Sequence, residues 1–165
     1  MILTDDDFAT IVKAVELGRG LYDNLKKYIF FQMGVLIGFI VTFLGASVFN
    51  IASGVPFLPL QTLWVNFTTQ VFQAVGLGYG KAEEDIMRRK PRASNEPLLS
   101  GRTLGWLGIV GFVLGLATLL VIAWASTNHE DHLARTMGLT TFSLGNLFFS
   151  FTVRSDIRSV FSLDT

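Results

Sequence analysis

Four blocks of nearly unbroken apolar sequence run through this chain, and its charges fall between them. A helix that crosses a bilayer needs about 20 mostly apolar residues. Residues 28–48 form the first block, interrupted only by Gln32 and small polar residues. Residues 61–79 are the second and most polar, 104–125 the third, with neither charge nor amide, and 136–153 the fourth and shortest. The pattern predicts an all-α membrane protein with four transmembrane helices at about these positions, 28–48, 61–79, 104–125 and 136–153. A soluble bundle is a poor fit, because 104–125 has no polar face to turn to water.

Ahead of the first block, residues 1–27 predict a cytoplasmic stalk helix. Thr4 or Asp5 can cap it, and Asp5, Asp6 and Asp7 suit an N-terminal turn. Phe8, Ile11, Val12, Val15, Leu21 and Leu25 give a partial apolar stripe at helical spacing. Lys26, Lys27 and Tyr28 mark the membrane boundary. One long helix is expected to run from stalk into first span, with Gly18 and Gly20 marking a bend or a close contact. An ordinary juxtamembrane helix and a lever carrying motion into the membrane both fit this pattern.

The connectors set the orientation. Residues 49–60 are uncharged, with Gly54, Pro56 and Pro59 as turn formers. Residues 80–103 are long and charge-rich, and 126–135 short and polar. Twelve of the 13 basic residues lie in the stalk, the long connector or the 154–165 tail, all on one side of a four-span arrangement. Arg135 alone falls on the other side, at a helix end where it can snorkel. The positive-inside rule then makes both termini cytoplasmic, in an integral membrane protein of the plasma membrane if the cell is bacterial.

Composition adds limits. The chain of 165 residues is 50% hydrophobic and 16% charged, against about 25% charged in soluble domains. Its 13 basic and 13 acidic residues give no electrostatic case for nucleic acid. With no cysteine, disulfides and thiolate metal sites are excluded. The first 27 residues lack the basic start and apolar run of a signal peptide.

Several stretches carry a resemblance. Ile2-Leu3-Thr4-Asp5-Asp6-Asp7-Phe8-Ala9-Thr10-Ile11-Val12 resembles the end of the phosphorylation domain of type II cation-transporting P-type ATPases, and residues 16–27 the stalk that follows it. Pro59-Leu60-Gln61-Thr62-Leu63-Trp64-Val65-Asn66-Phe67-Thr68-Thr69 resembles the sixth membrane helix of that family. Residues 85–92 and 96–100 are similar to the loop after it, and Arg135-Thr136-Met137 and Arg154-Ser155 flank a helix like the eighth. The resemblance implies membrane helices five to eight of a calcium-pump-like protein, closest to the bacterial branch. It also implies a phosphorylatable aspartate, a nucleotide domain and an actuator domain, and none of these is present in the sequence. The chain alone is therefore expected to hydrolyse no ATP and to hold no cofactor, with Mg-ATP belonging only to a complete pump.

Polar side chains in a bilayer are costly and mark function by default. Asn66, Thr69, Gln70 and Gln73 stand at offsets of three, four and seven, one face of an α-helix. Their neutral oxygens could ligate a hard cation. By the resemblance, the positions of Asn66 and Thr69 are ion ligands, Gln70 stands where an Asp is usual, and Asn146 where the calcium pump has a Glu. Leu36 and Phe39 occupy positions where the family carries an amide and a carboxylate. No span contains an acidic residue, so tight calcium binding would need a carboxylate from another helix. Asn66, Thr69, Gln70 and Asn146 are the candidate cation-pathway residues. Hydrogen-bonded glue between helices is the competing reading, and it is the expected role of Thr140, Thr141 and Ser143. Gln32 is expected to be satisfied by interface water. His129 and His132 could share a metal if helical, but two histidines in an exposed loop are more often solvated.

Two functions follow as expectations. The chain is the membrane-spanning, cation-translocating portion of such a pump, with the lipid bilayer, a transported cation and the missing pump domains as partners. Alternatively it is a non-catalytic four-helix scaffold or partner subunit derived from one, meeting another membrane chain.

Overall fold

The computed structural model describes residues 8–80, 85–89 and 99–153, and these are helical with short connectors and no strand among them. The Thr4 and Asp5 caps, residues 81–84 and 90–98 of the long connector, and everything from 154 onward lie outside the described residues.

Helix α1 is Phe8–Val48, 41 residues without a break. At 1.5 Å per residue it is roughly 60 Å long, about twice a hydrocarbon core. It passes straight through Gly18 and Gly20; Gly20 is buried, and nothing lies near Gly18. The second apolar block is not one regular helix. It comprises α2 (Pro59–Trp64), a π-helical segment (Val65–Val71) and α3 (Phe72–Gly78). Pro59 suits the first position of α2, where its missing N–H is no loss. The Gln61 Oε1 accepts from the Leu58 N–H at 2.9 Å and closes that end.

Helix α4 (Gly101–Asn128) and helix α5 (Asp131–Val153) both begin earlier than the apolar pattern predicts. Ser100 caps α4, its Oγ accepting from the Thr103 N–H at 3.2 Å. At the other end, Asn128 donates to the Trp124 carbonyl at 2.7 Å. Only His129 and Glu130 separate the two helices. Two helices, Phe8–Val48 and Gly101–Asn128, are long and apolar enough to cross a membrane.

Small residues set the packing, as expected where lipid removes the hydrophobic drive between helices. Gly34 and Gly38 of α1 face Gly111 and Gly115 of α4. A β-carbon on Gly111 would lie 2.7 Å from the Gly34 carbonyl oxygen, and one on Gly115 2.7 Å from that of Gly38. Thr42 donates to the Gly38 carbonyl at 2.8 Å and lies 3.4 Å from that of Gly115. Between α4 and α5, Gly138 admits Ile122 and Gly145 admits Leu114. Phe39, Phe57 and Phe142 fill the centre, with Phe39 and Phe142 ring centroids 4.4 Å apart.

The connector after α1 is a left-handed turn, with positive φ at Asn50, Ala52, Ser53 and Gly54. Arg135 holds it. Its Nε donates to the Val55 carbonyl and its Nη2 to the Ala52 carbonyl, both at 2.9 Å. Near the other end of α1, Asn24 donates to the Gly78 and Gly80 carbonyls at 3.2 and 2.6 Å. Arg19 donates to the Ile86 and Arg89 carbonyls, each at 3.0 Å. The lower part of α1 is thereby docked to the chain that leaves α3.

Candidate functional site

The π-helical segment decides which polar groups point inward. Thr69 Oγ1 donates to the Val65 carbonyl at 2.6 Å, an i−4 side-chain bond that competes with the α-helical ladder. A π segment bonds i to i+5, and single turns of this kind are frequent at functional sites. The two buried residues of the segment, Val65 and Gln70, are five apart. Asn66, four residues before Gln70, is not among them. It is exposed, beside Phe43, Phe57 and Leu63 in an apolar concavity. Thr69 and Gln73 are half-buried, and Gln70 is 7% exposed.

The π segment packs against α5, and there Asn146 is 0% exposed. Neither Oδ1 nor Nδ2 of Asn146 has a hydrogen-bond partner among the described residues. The same holds for Gln70 Nε2, Gln73 Oε1, Ser143 Oγ and, on α1, Gln32 Oε1. Most buried polar atoms in folded proteins are paired, and each one left unpaired costs about 1–3 kcal/mol. These six atoms lie on α1, the π segment, α3 and α5, elements that pack on one another, and are referred to together as the polar seam.

Of the four candidates from sequence, Gln70 and Asn146 are brought into this seam, Thr69 lies at its edge spending its proton on its own helix, and Asn66 stands outside it. Sequence reasoning assigned Ser143 to glue and Gln32 to interface water; both have a buried oxygen in the seam set. The three-residue spacing of Ser143 and Asn146 on α5 was the available signal. Thr140 and Thr141, also expected as interhelical glue, instead donate to the Thr136 and Met137 carbonyls of their own helix at 2.9 Å.

Chemically the seam offers amide and hydroxyl oxygens, which are hard and neutral. It contains no carboxylate to balance a divalent charge. Elsewhere, His132 lies 3.1 Å from Glu130, both exposed. No group of three histidine, cysteine or carboxylate side chains suited to a metal occurs among the described residues.

Comparison with known proteins gives a consistent answer. Residues 54–165 match the family described as cation transporting ATPase, C-terminus. The chain is 39% identical to the "Calcium-transporting ATPase 1" of Bacillus cereus, over 99% of its own length and 20% of that protein. It is 38% identical to the "Probable cation-transporting ATPase F" of Mycobacterium tuberculosis, over 99% of this chain and 18% of the other. It is 37% identical to the "Calcium-transporting ATPase" of Bacillus subtilis, over 98% and 18%. The chain thus spans about a fifth of the length of these curated relatives.

Proposed function

The chain belongs to the P-type cation-transporting ATPases, matching their C-terminal portion, and from that premise we propose that it forms part of the membrane path through which a cation moves. Four spans carry it, with the termini and the long connector in the cytoplasm and the lower half of α1 as the stalk. Twelve basic residues on one side support this orientation. ATP hydrolysis is the work of segments outside these 165 residues, as is any nucleotide or Mg2+ site.

The observation that carries the reading is Asn146, wholly buried with both polar atoms unpaired, on a helix that packs against the π turn that buries Gln70. An amide is retained in such a place when something else completes its bonds. A monovalent cation suits neutral oxygens. The relatives whose names specify calcium would require negative ligands to offset the desolvation of a divalent ion. The seam holds no carboxylate, so the ion it suits is monovalent.

The docking of Arg19 and Asn24 on the segment after α3 supports the lever reading of the stalk. A displacement of lower α1 pulls directly on the Gly78 and Gly80 carbonyls at the end of α3, which follows the π turn that carries Gln70.

The test is the melting of the chain in lipid nanodiscs, with potassium, sodium or calcium chloride set against choline chloride at equal ionic strength. A cation that binds the folded seam raises the transition by mass action, about 2.7 kcal/mol at a hundred times its dissociation constant. Equal melting in every salt would leave only the scaffold reading.

A further inference from the structure

Where α1 leaves its apolar half, a second feature has no part in the seam. A pocket of about 320 Å³ lies between α1, the segment after α3 and the first turns of α4. Among the described residues, Lys26, Lys27, Arg89 and Arg102 line it, with one carboxylate, that of Asp23. Asp23 is matched by Arg89 at 2.9 Å, and Arg89 also meets Asp85 at 2.9 Å. Lys26 and Arg102, both exposed, add positive charge to the described lining. The N-terminus of α4 adds to it, since a helix begins with unpaired N–H groups and a partial positive charge.

The pocket is not purely ionic. Phe30, Trp106 and Val153 form an apolar wall. Trp106 is 60% exposed, and Ile109 and Val113, three and seven residues on along the same face of α4, are also exposed. A cationic mouth therefore continues into an apolar strip on a helix apolar enough to cross a membrane. Indole rings favour the headgroup level of a bilayer.

We propose that this pocket binds the phosphate headgroup of an anionic phospholipid, with an acyl chain laid along Trp106, Ile109 and Val113. Basic pockets between membrane helices recognise such headgroups by charge. Free phosphate would use the cations but has no use for the apolar wall, and that wall is what selects the lipid. Because the pocket joins α1 to the start of α4 and to the Arg89 segment, bound lipid ties the stalk to the bundle.

Fluorescence quenching tests this. In a W64F/W124F background Trp106 is the sole tryptophan. It is reconstituted in phosphatidylcholine vesicles containing a minor share of either brominated phosphatidylglycerol or brominated phosphatidylcholine. We expect phosphatidylglycerol to be enriched at Trp106 by roughly fivefold or more, the equivalent of about 1 kcal/mol per cation. K26Q/R102Q, changing two exposed side chains, brings the quenching down to the phosphatidylcholine level with unchanged helical circular dichroism, and added inorganic phosphate does not displace the lipid. Equal quenching by the two lipids overturns the proposal. So does enrichment that survives K26Q/R102Q, and displacement by inorganic phosphate would assign the site to a free anion instead. If W64F/W124F fails to fold, native mass spectrometry of the unmodified tryptophan set compares retention of the two lipids by the wild type and by K26Q/R102Q, with the same expected and overturning results.

Discussion

Gly111 stands so close to Gly34 across the α1–α4 contact that a β-carbon on it would be 2.7 Å from the Gly34 carbonyl oxygen and 2.6 Å from Ile37 Cβ. A carbonyl oxygen and a β-carbon are both fixed by the backbone of α1, so no side-chain rotation relieves the contact. Gly111→Leu should push the two helices apart and lower stability by about 1–3 kcal/mol, measured as the loss of helical signal on denaturation in detergent. Gly108→Leu is the control, because nothing lies within 4 Å of its position.

Asn146→Leu separates stability from function. The side chains have the same branching, leucine being the bulkier, and replacing unpaired buried polar atoms by apolar ones removes a cost of about 1–3 kcal/mol. In cation-free buffer the variant should melt at or above the wild-type temperature, and lose any cation-dependent rise. A marked fall in cation-free melting would mean that Asn146 is already satisfied within the chain.

Arg135 closes the left-handed turn with two charge-assisted bonds, each worth about 1.5–3 kcal/mol when made to a charged group. Arg135→Met should loosen residues 50–56 without disturbing α1. Hydrogen exchange at Ile51, Ala52 and Val55 should rise in the variant while exchange at 30–45 stays unchanged.

The absence of cysteine makes the topology directly measurable. Ser53→Cys and Lys13→Cys place single thiols on exposed positions at opposite ends of α1. In sealed inside-out vesicles an impermeant maleimide should label position 13 and spare position 53. Labelling of both would end the assignment of orientation.

The helices were legible because bilayer-length apolar runs leave few alternatives, and the continuous α1 follows from the absence of any proline before residue 56. Their ends were less so. Ser100 caps α4, and α5 starts at Asp131, through polar first turns that an apolar count passes over. The Gly34–Gly38 and Gly111–Gly115 spacings were present to be read, but a sequence does not say which glycines meet. The π turn was hidden, since its residues suit an α-helix equally well and the Thr69 hydroxyl tips the ladder. Of the four candidate residues, Gln70 and Asn146 are buried and Asn66 is exposed, a difference that an even helical period does not foretell.

The central claim is that the unpaired groups of Gln70 and Asn146 are completed by a cation. Equilibrium dialysis of a radioactive alkali cation against the chain in nanodiscs tests it most directly, with wild type beside Gln70→Leu/Asn146→Leu. We expect saturable binding of about one ion per chain in the wild type, lost in the double variant although its cation-free melting is undiminished. Equal binding by the two, or none by the wild type at any alkali cation concentration, would contradict it.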